Sequence, residues 1–478
     1  FGCAGIWIDA LTNQEEYTPG DSIQISLSVV NRSGWNVQVE SWNVSRAGIA
    51  GQPLSDMTSN MIRTQQQRGI IPSDIPFRQP SWLVRPPTAF RYDVADEALI
   101  GEAEDAASFV ATVAVRISGN TICREIPVRY RFVDPVDGET YRPVMVTPPV
   151  RVAFDEPVVM VPSGKSKVVW VSVEAVRDIR AGIVRLELPS GWTAAPQERR
   201  FALLAAGEKT TLAFDAQPTA TAASGVATAV AIVGGIRYTA SVEKTSYKHI
   251  PPQILHVPAQ SRFLRTDLRV KARAVGYVMG AGDEVADGLG RMGCRVEMLT
   301  DEALLSADLS RFDAVVIGVR AYNTRPALHA AQSRFEQYAR GGGTVLVQYQ
   351  TTGRAESENI APYALVVGRD RVTEEDAAIR FLAPRHPALT TPNAITSTDF
   401  DGWVQERGLY YASSWGKEFT PILGANDTGE PSRDGGLLVA RVGKGHYVYT
   451  GLSFFRQIPA GVSGAYRLLA NLVSLSRP

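Results

Sequence analysis

Hydrophobic and polar positions alternate in twos through the first third of the chain. Ile23, Ile25, Leu27 and Val29 follow the turn signal Pro19-Gly20-Asp21 with polar residues between them, the period of a half-buried strand. The turn cluster Asn31-Arg32-Ser33-Gly34 closes that run, and Val37 and Val39 resume it. Phe109, Ala111, Val113, Val115 and Ile117 mark one face of another strand, ended by Gly119-Asn120, and Val128, Tyr130 and Phe132 mark its return. Between them, residues 46–90 carry Pro72, Pro76, Pro80, Pro86 and Pro87 and no clear period, so they are expected to wrap the outside as extended chain. No helical stripe occurs, and residues 1–147 are predicted to form an antiparallel β-sandwich with long wrapping loops.

Pro143 and Pro148-Pro149 punctuate a boundary, after which residues 148–248 predict a second, immunoglobulin-like sandwich. Val168, Trp170, Val171 and Val173 predict one strand of it, and Ile183, Val184, Leu186 and Leu188 another. Trp192, in the turn after Pro189, is expected as a core anchor rather than a sugar platform. His249-Ile250-Pro251-Pro252 reads as a stiff linker.

Beyond it the period changes. Ala274 to Met279 is a short apolar run ending in Gly280-Ala281-Gly282, and Val285, Leu289 and Met292 follow at helical spacing. Cys294 to Leu299 predicts a strand, and Ala314-Val315-Val316-Ile317 is the uninterrupted run of a strand buried on both faces. Ala327 to Ala339 predicts a helix stopped by Gly341-Gly342-Gly343, and Thr344 to Val347 a further strand. Leu437 to Ala440, Tyr447 to Tyr449 and a closing helix near 464–475 complete the chain. Strands alternating with helices through short joins predict an α/β doubly wound domain over 253–478. The expected architecture is multidomain: two antiparallel β-sandwiches followed by that domain.

Composition narrows the function. The 478 residues carry 49 basic and 49 acidic side chains, so no net positive field recruits nucleic acid. No run of about 18 apolar residues occurs, so no membrane span is expected. Cys3, Cys123 and Cys294 are far apart in the sequence, and their odd number excludes full pairing within the chain. None of the five histidines has a ligand-spaced partner, His329 and His386 included, so no metal site is expected here. The opening Phe1-Gly2-Cys3 reads as a cut through a longer polypeptide.

In an open parallel sheet, ligands bind outside the carboxyl ends of the strands. Gly280-x-Gly282 is half a dinucleotide fingerprint, but Asp283-Glu284 follows it, and two carboxylates there would repel a pyrophosphate. Arg320, Tyr322, Asn323 and Tyr349 follow two other strands and could line the same mouth. Asp399, Asp401, Trp403, Gln405, Glu406 and Arg407 add an aromatic ring, carboxylates, an amide and a guanidinium within nine positions. Sugar recognition needs that mixture, a flat apolar face beside paired polar groups. The alternative is that these residues satisfy one another and pin a long loop to the sheet.

Residues 253–478 resemble the class I glutamine amidotransferase-like, or ThuA-like, fold. Those enzymes keep a nucleophile in the sharp turn after the strand matching Thr344–Val347. This chain has Gln348-Tyr349-Gln350 there, and Cys294 stands at the opposite edge. The whole chain resembles the region that follows the catalytic domain in long bacterial PIG-L (LmbE-like) de-N-acetylases. The carriers are "SRFDAVVIGVRAYN", "GGGTVLVQYQT", "DFDGWVQERGLY" and "GKGHYVYTGLSFFRQIPAGVSGAYRLLANL". The middle domain is similar to the NPCBM-associated sandwich of glycosidases through "ELPSGWTAAPQERRFALLAAGEKTTLAF". The PIG-L zinc motif has no counterpart here, so the resemblance implies zinc only in a catalytic domain outside this chain. It implies a non-catalytic accessory region whose partner is that domain, in a periplasmic or secreted setting, with glycan as a second partner. A stand-alone carbohydrate-binding protein is the alternative. An amidohydrolase using the crevice carboxylates is the third.

Overall fold

The computed structural model describes residues 1–476 except 56, 58, 89, 90, 103 and 353–358. It is a mostly-β multidomain chain, 46% strand and 14% helix, built from several sheets.

In the first unit a five-stranded sheet runs in the order Gly138–Pro143, Arg129–Asp134, Ile6–Thr12, Ser22–Asn31, Ile62–Ile70. A four-stranded sheet of Ile49–Gly51, Val37–Val44, Val110–Ile117 and Asn120–Pro127 lies over it. Ile23, Ile25, Leu27 and Val29 meet Val113, Val115 and Trp42 in the core between them. The stretch 46–90 is more regular than expected, because Ile62–Ile70 is a long edge strand paired with Ser22–Asn31. Its sequence, with Gln65, Gln66 and Gln67 at the centre, has polar side chains on both faces. An edge strand of that kind leaves no hydrophobic period to detect.

The second unit pairs Val150–Phe154, Lys167–Ala175, Lys209–Pro218 and Trp192–Ala195 in one sheet. The other sheet holds Val158–Pro162, Gln260–Thr266, Gly225–Val233, Ile179–Glu187 and Glu198–Leu203, with Ile236–Tyr238 beside them. Val169, Val171 and Val173 face the core, so Val168 and Trp170, 46% exposed each, take the outer face. Trp192 is buried, and its indole N–H donates to the Ala223 carbonyl at 2.8 Å. The expected linker at 249–252 carries instead the start of Ile250–Pro258, which forms a hairpin with Ala240–Tyr247. Prolines there sit in a two-stranded ribbon, where fewer backbone donors are needed.

Charges stitch the two units together. Glu15 accepts from Lys244 at 2.8 Å, Glu16 from Arg151 at 2.6 Å, and Asp21 from Arg177 at 3.0 Å, while Arg142 of the first unit also holds Glu15 at 3.2 Å. His256 of the hairpin is half-buried beside them, its ring Nε2 3.2 Å from the Arg78 carbonyl and its backbone N–H donating to Gln79 Oε1 at 3.1 Å. Burial pulls its pKa below the ordinary 6.5, against a smaller upward pull from the Arg78 carbonyl. Burial does the same to His386 and His446. Above pH 6.5 both folded and unfolded chains keep these rings neutral. As pH falls below that value the unfolded chain takes up protons that the folded one refuses, so folding stability declines. Urea midpoints at pH 7.5 and 5.5 should therefore drop for the wild type, and drop less for His256→Gln. An equal drop in both would remove His256 from that account.

The last unit is an eight-stranded sheet. Its strands, with a two-stranded ribbon formed by β5 and β7, are β1 (Ala274–Val278), β2 (Arg295–Met298), β3 (Ala314–Ile317), β4 (Thr344–Gln348), β5 (Leu365–Val372), β6 (Arg380–Phe381), β7 (Gly408–Trp415), β8 (Phe419–Ala425), β9 (Arg433–Val442) and β10 (Gly445–Thr450). The sheet order is β2-β1-β3-β4-β10-β9-β8-β6, parallel from β2 to β10 and antiparallel beyond. The helices are α1 (Val285–Arg291), α2 (Asp301–Ser306), α3 (Ala321–Thr324), α4 (Ala327–Ala330), α5 (Gln332–Gly341), α6 (Pro387–Thr390), α7 (Phe454–Gln457) and α8 (Ser463–Val473). The helix expected over 327–339 is thus broken into α4 and α5 at Ala331.

Two cores flank this sheet. Tyr277, Val316, Leu346 and Val448 meet α1 and α8 on one side, and Val315, Ile317, Val345 and Val347 meet α5 on the other. Strands covered on both faces have no polar face to show, which is why β3 reads as an unbroken apolar run. Val158, Met160 and Leu264 of the second unit share the core of α1 and α8, so those units are joined by apolar packing. Among the described residues no helix is long and apolar enough to cross a membrane.

Candidate functional site

The chain leaves β1 for β2 on one side and returns to β3 on the other, so their carboxyl ends flank a topological switch point. The backbone closes much of that crevice. The Ala281 N–H donates to the Val319 carbonyl at 2.9 Å, and a Cβ on Gly280 would stand 2.2 Å from that same oxygen. Asp283 ties the loops rather than facing a ligand: it accepts from the Tyr277 hydroxyl, from the Val285 N–H at 2.9 Å and from the Val319 N–H at 3.4 Å. Gln348 Nε2 reaches across β3 to the Tyr277 oxygen at 2.9 Å, while its Oε1 is buried without a hydrogen-bond partner among the described residues.

Arg320 follows β3 in a left-handed conformation, φ 57°, and its N–H donates to the Tyr349 carbonyl at 2.9 Å. The guanidinium is exposed. Tyr322 and Asn323 turn inward. The Tyr322 hydroxyl donates to Gln332 at 2.6 Å, and its buried phenol is held far above its ordinary pKa by desolvation. Asn323 clamps Thr351 through both ends of its amide, at 3.2 and 2.9 Å. Gln350, fully buried, bonds the Tyr322 N–H and the Gly318 and Gln348 carbonyls. These contacts fix the turns after β3 and β4 to one another.

Tyr349, 8% exposed, lies between two further rings. It stacks on Tyr410 at 5.6 Å and 11°, and tilts against Phe455 at 5.3 Å. Burial raises its phenol pKa, and Arg320 and Arg456 pull it partly back. Arg456 lies over Phe455 at 4.7 Å and pairs with Glu406 at 2.8 Å. Tyr410 has φ 53° and Gln405 φ 67°. Left-handed non-glycine residues cost energy and gather where the surroundings impose them, and Arg320, Tyr410 and Gln405 all lie at this edge.

The nine-residue cluster is therefore divided. Glu406 reaches the Tyr349 edge through Arg456 and Phe455, while Asp399, Trp403 and Arg407 form an inner layer. Trp403 is 3% exposed, packed against Phe400 at 5.4 Å and Phe454 at 6.3 Å, with its N–H on the Asp399 carbonyl at 3.0 Å. Asp399 closes a capping box with Thr396 and accepts from Arg467 Nε at 2.7 Å, so its carboxylate is engaged. Arg407 is 4% exposed; it donates to the Ala377 carbonyl at 3.0 Å and to the Phe400 carbonyl, and burial lowers its pKa. Asp401 is exposed on the surface of the loop. Tyr410, Phe455 and Arg456 escaped the sequence analysis. Their adjacency to Tyr349 comes from β7 and α7 meeting at one edge, which no local spacing encodes.

Cys294 is buried beside the amino ends of the strands, its thiol donating to the Ala272 carbonyl at 3.4 Å and pushed up to about 11 by burial. A thiol in that state is inert as a nucleophile at neutral pH.

No family model and no curated protein matches the chain. Among solved structures it is similar to an Escherichia coli alpha-2-macroglobulin activated by porcine elastase (11% identity, 56% of this chain and 23% of that one, TM-score 0.17). A Salmonella alpha-2-macroglobulin mutant matches at 12% identity over 56% of this chain and 16% of that one, TM-score 0.20. A Porphyromonas gingivalis protein of unknown function matches at 12% identity over 54% of this chain and 99% of that one, TM-score 0.15. The chain spans less than a quarter of the length of these macroglobulins, and none of the likenesses bears on function.

Proposed function

We propose that the chain is a non-catalytic accessory region of a PIG-L-type zinc-dependent sugar de-N-acetylase, supporting the catalytic domain and presenting glycan to it. One observation carries the reading. Where the resembled amidotransferase-like enzymes keep a nucleophile, after β4, this chain has the Tyr349 ring packed between Tyr410 and Phe455. The sharp left-handed turn lies instead after β3, at Arg320, whose side chain is a cation and no nucleophile. The parallel order β2-β1-β3-β4-β10 with helices on both faces supports the flavodoxin-like, amidotransferase-like assignment of this unit. Zinc, in this reading, belongs to the catalytic domain, and the setting is periplasmic or secreted.

The test is acetate release from N-acetylated oligosaccharides. The purified chain should give none above the buffer blank, and should co-elute with a PIG-L-type catalytic domain in size-exclusion chromatography. Turnover by an EDTA-treated sample would overturn the reading. The second reading, a stand-alone carbohydrate-binding protein, is favoured by exposed Arg320 beside the Tyr349–Tyr410 stack. It predicts glycan binding with no co-elution.

A further inference from the structure

Two hairpins from different units face one another at a place that shares no residue with the sheet edge just described. One joins Arg129–Asp134 to Gly138–Pro143, the other Ala240–Tyr247 to Ile250–Pro258. The strand period of two puts Tyr130, Phe132 and Asp134 on one face of the first hairpin, and the register sets Arg142 opposite Tyr130 and Thr140 opposite Phe132. That face and the tip of the second hairpin enclose a cleft of about 660 Å³. Its size suits a small ligand, and junctions between domains are where such sites concentrate.

The lining is mixed in a particular way. Arg142 sits 4.4 Å over the Phe132 ring and is anchored by Glu15, so one aromatic face is covered by a fixed cation. Tyr247 is 60% exposed, tilted against His249 at 5.7 Å, and presents a free ring surface. One oxygen of Asp134 takes the N–H groups of Val136 and Asp137 at 2.8 and 2.9 Å, which orients the carboxylate and leaves its other oxygen for another donor. Lys248 reaches from the second hairpin to Asp137 at 2.9 Å. Two carboxylates against two cations leave no net charge to recruit a phosphate or a polyanion. A flat ring beside oriented acceptors and an ammonium instead matches the apolar face and vicinal hydroxyls of a sugar.

We infer that this cleft binds a neutral oligosaccharide, one pyranose stacked on Tyr247 with its hydroxyls held between Asp134 and Lys248. The inference deepens the glycan-presenting part of the reading above and rests on that part alone. The experiment is isothermal titration of the full chain with N,N′-diacetylchitobiose, cellobiose and mannobiose. At least one should bind, with Tyr247→Ala and Asp134→Asn each weakening it roughly tenfold or more. Trp170→Ala, which removes an exposed ring elsewhere, should leave the affinity unchanged. Urea midpoints equal to the wild type establish that the variants fold. No heat from any of the three sugars would overturn the inference, as would undiminished binding by Tyr247→Ala or lost binding by Trp170→Ala. None of these outcomes touches the acetate-release test, whose failure would remove the accessory reading whatever the cleft binds.

Discussion

Trp403→Ala is expected to cost about 3–5 kcal/mol of stability in the C-terminal unit, the range for emptying a large aromatic site in a packed core. The ring is in contact with Phe400 and Phe454, its N–H is on the Asp399 carbonyl, and Arg407 lies 5.8 Å over it. Truncation would open a cavity and strip a buried guanidinium of one of its two aromatic neighbours in one step. Urea denaturation followed by tryptophan fluorescence and circular dichroism measures the loss directly. The same residue was a candidate for stacking a sugar, and the two roles make opposite predictions. A ligand platform would lose binding while keeping its midpoint. A core residue loses the midpoint, and Trp403→Phe recovers most of it. An unchanged midpoint in Trp403→Ala would show that the ring is not part of the core.

The second large effect is expected at Gly464, the second residue of α8. A Cβ there would lie 1.8 Å from the Asp399 carbonyl oxygen and 2.4 Å from the Asp399 Cα, both backbone atoms that cannot rotate away. Gly464→Ala must therefore push α8 off the 3₁₀ turn Ser397–Phe400, stretching the Arg467–Asp399 ion pair and the seat of Trp403. Overpacking costs about 1–3 kcal/mol, and the upper end is expected here because the clash is with backbone. Gly290→Ala, inside α1, meets nothing within 4 Å. There the same change should be neutral or stabilising by up to about 1 kcal/mol, because alanine is the better helix former. Opposite signs from one substitution at two glycines would establish the close approach of α8 to the 397–400 turn. A loss as small at Gly464 as at Gly290 would refute it.

The strands of the first unit were legible because one face of each meets the core and the other meets water, so alternation is written into the side chains themselves. The strand Ile62–Ile70 was not, since an edge strand polar on both faces carries no such mark. The break between α4 and α5 at Ala331 was missed because Ala327 to Ala339 holds no proline or glycine to mark it; α4 packs on α2 while α5 packs on the sheet. The candidate site divides the same way. Which residue types stand in the strand-end turns could be read directly, as could the lack of a nucleophile after β4. That Tyr322 and Asn323 turn inward, that Trp403 is walled in, and that Tyr410, Phe455 and Arg456 complete the edge around Tyr349 could not.

By itself, then, the sequence determined that the chain is a multidomain, mostly-β protein, which strands have a buried face, and which side chains are available at each turn, because those follow from local periodicity and residue chemistry. Only the tertiary structure decided which of those side chains are consumed by packing and which reach solvent. Burial depends on what arrives from distant segments: α8 and α7 over the 399–407 stretch, and the hairpin at 240–258 against the strand at 138–143.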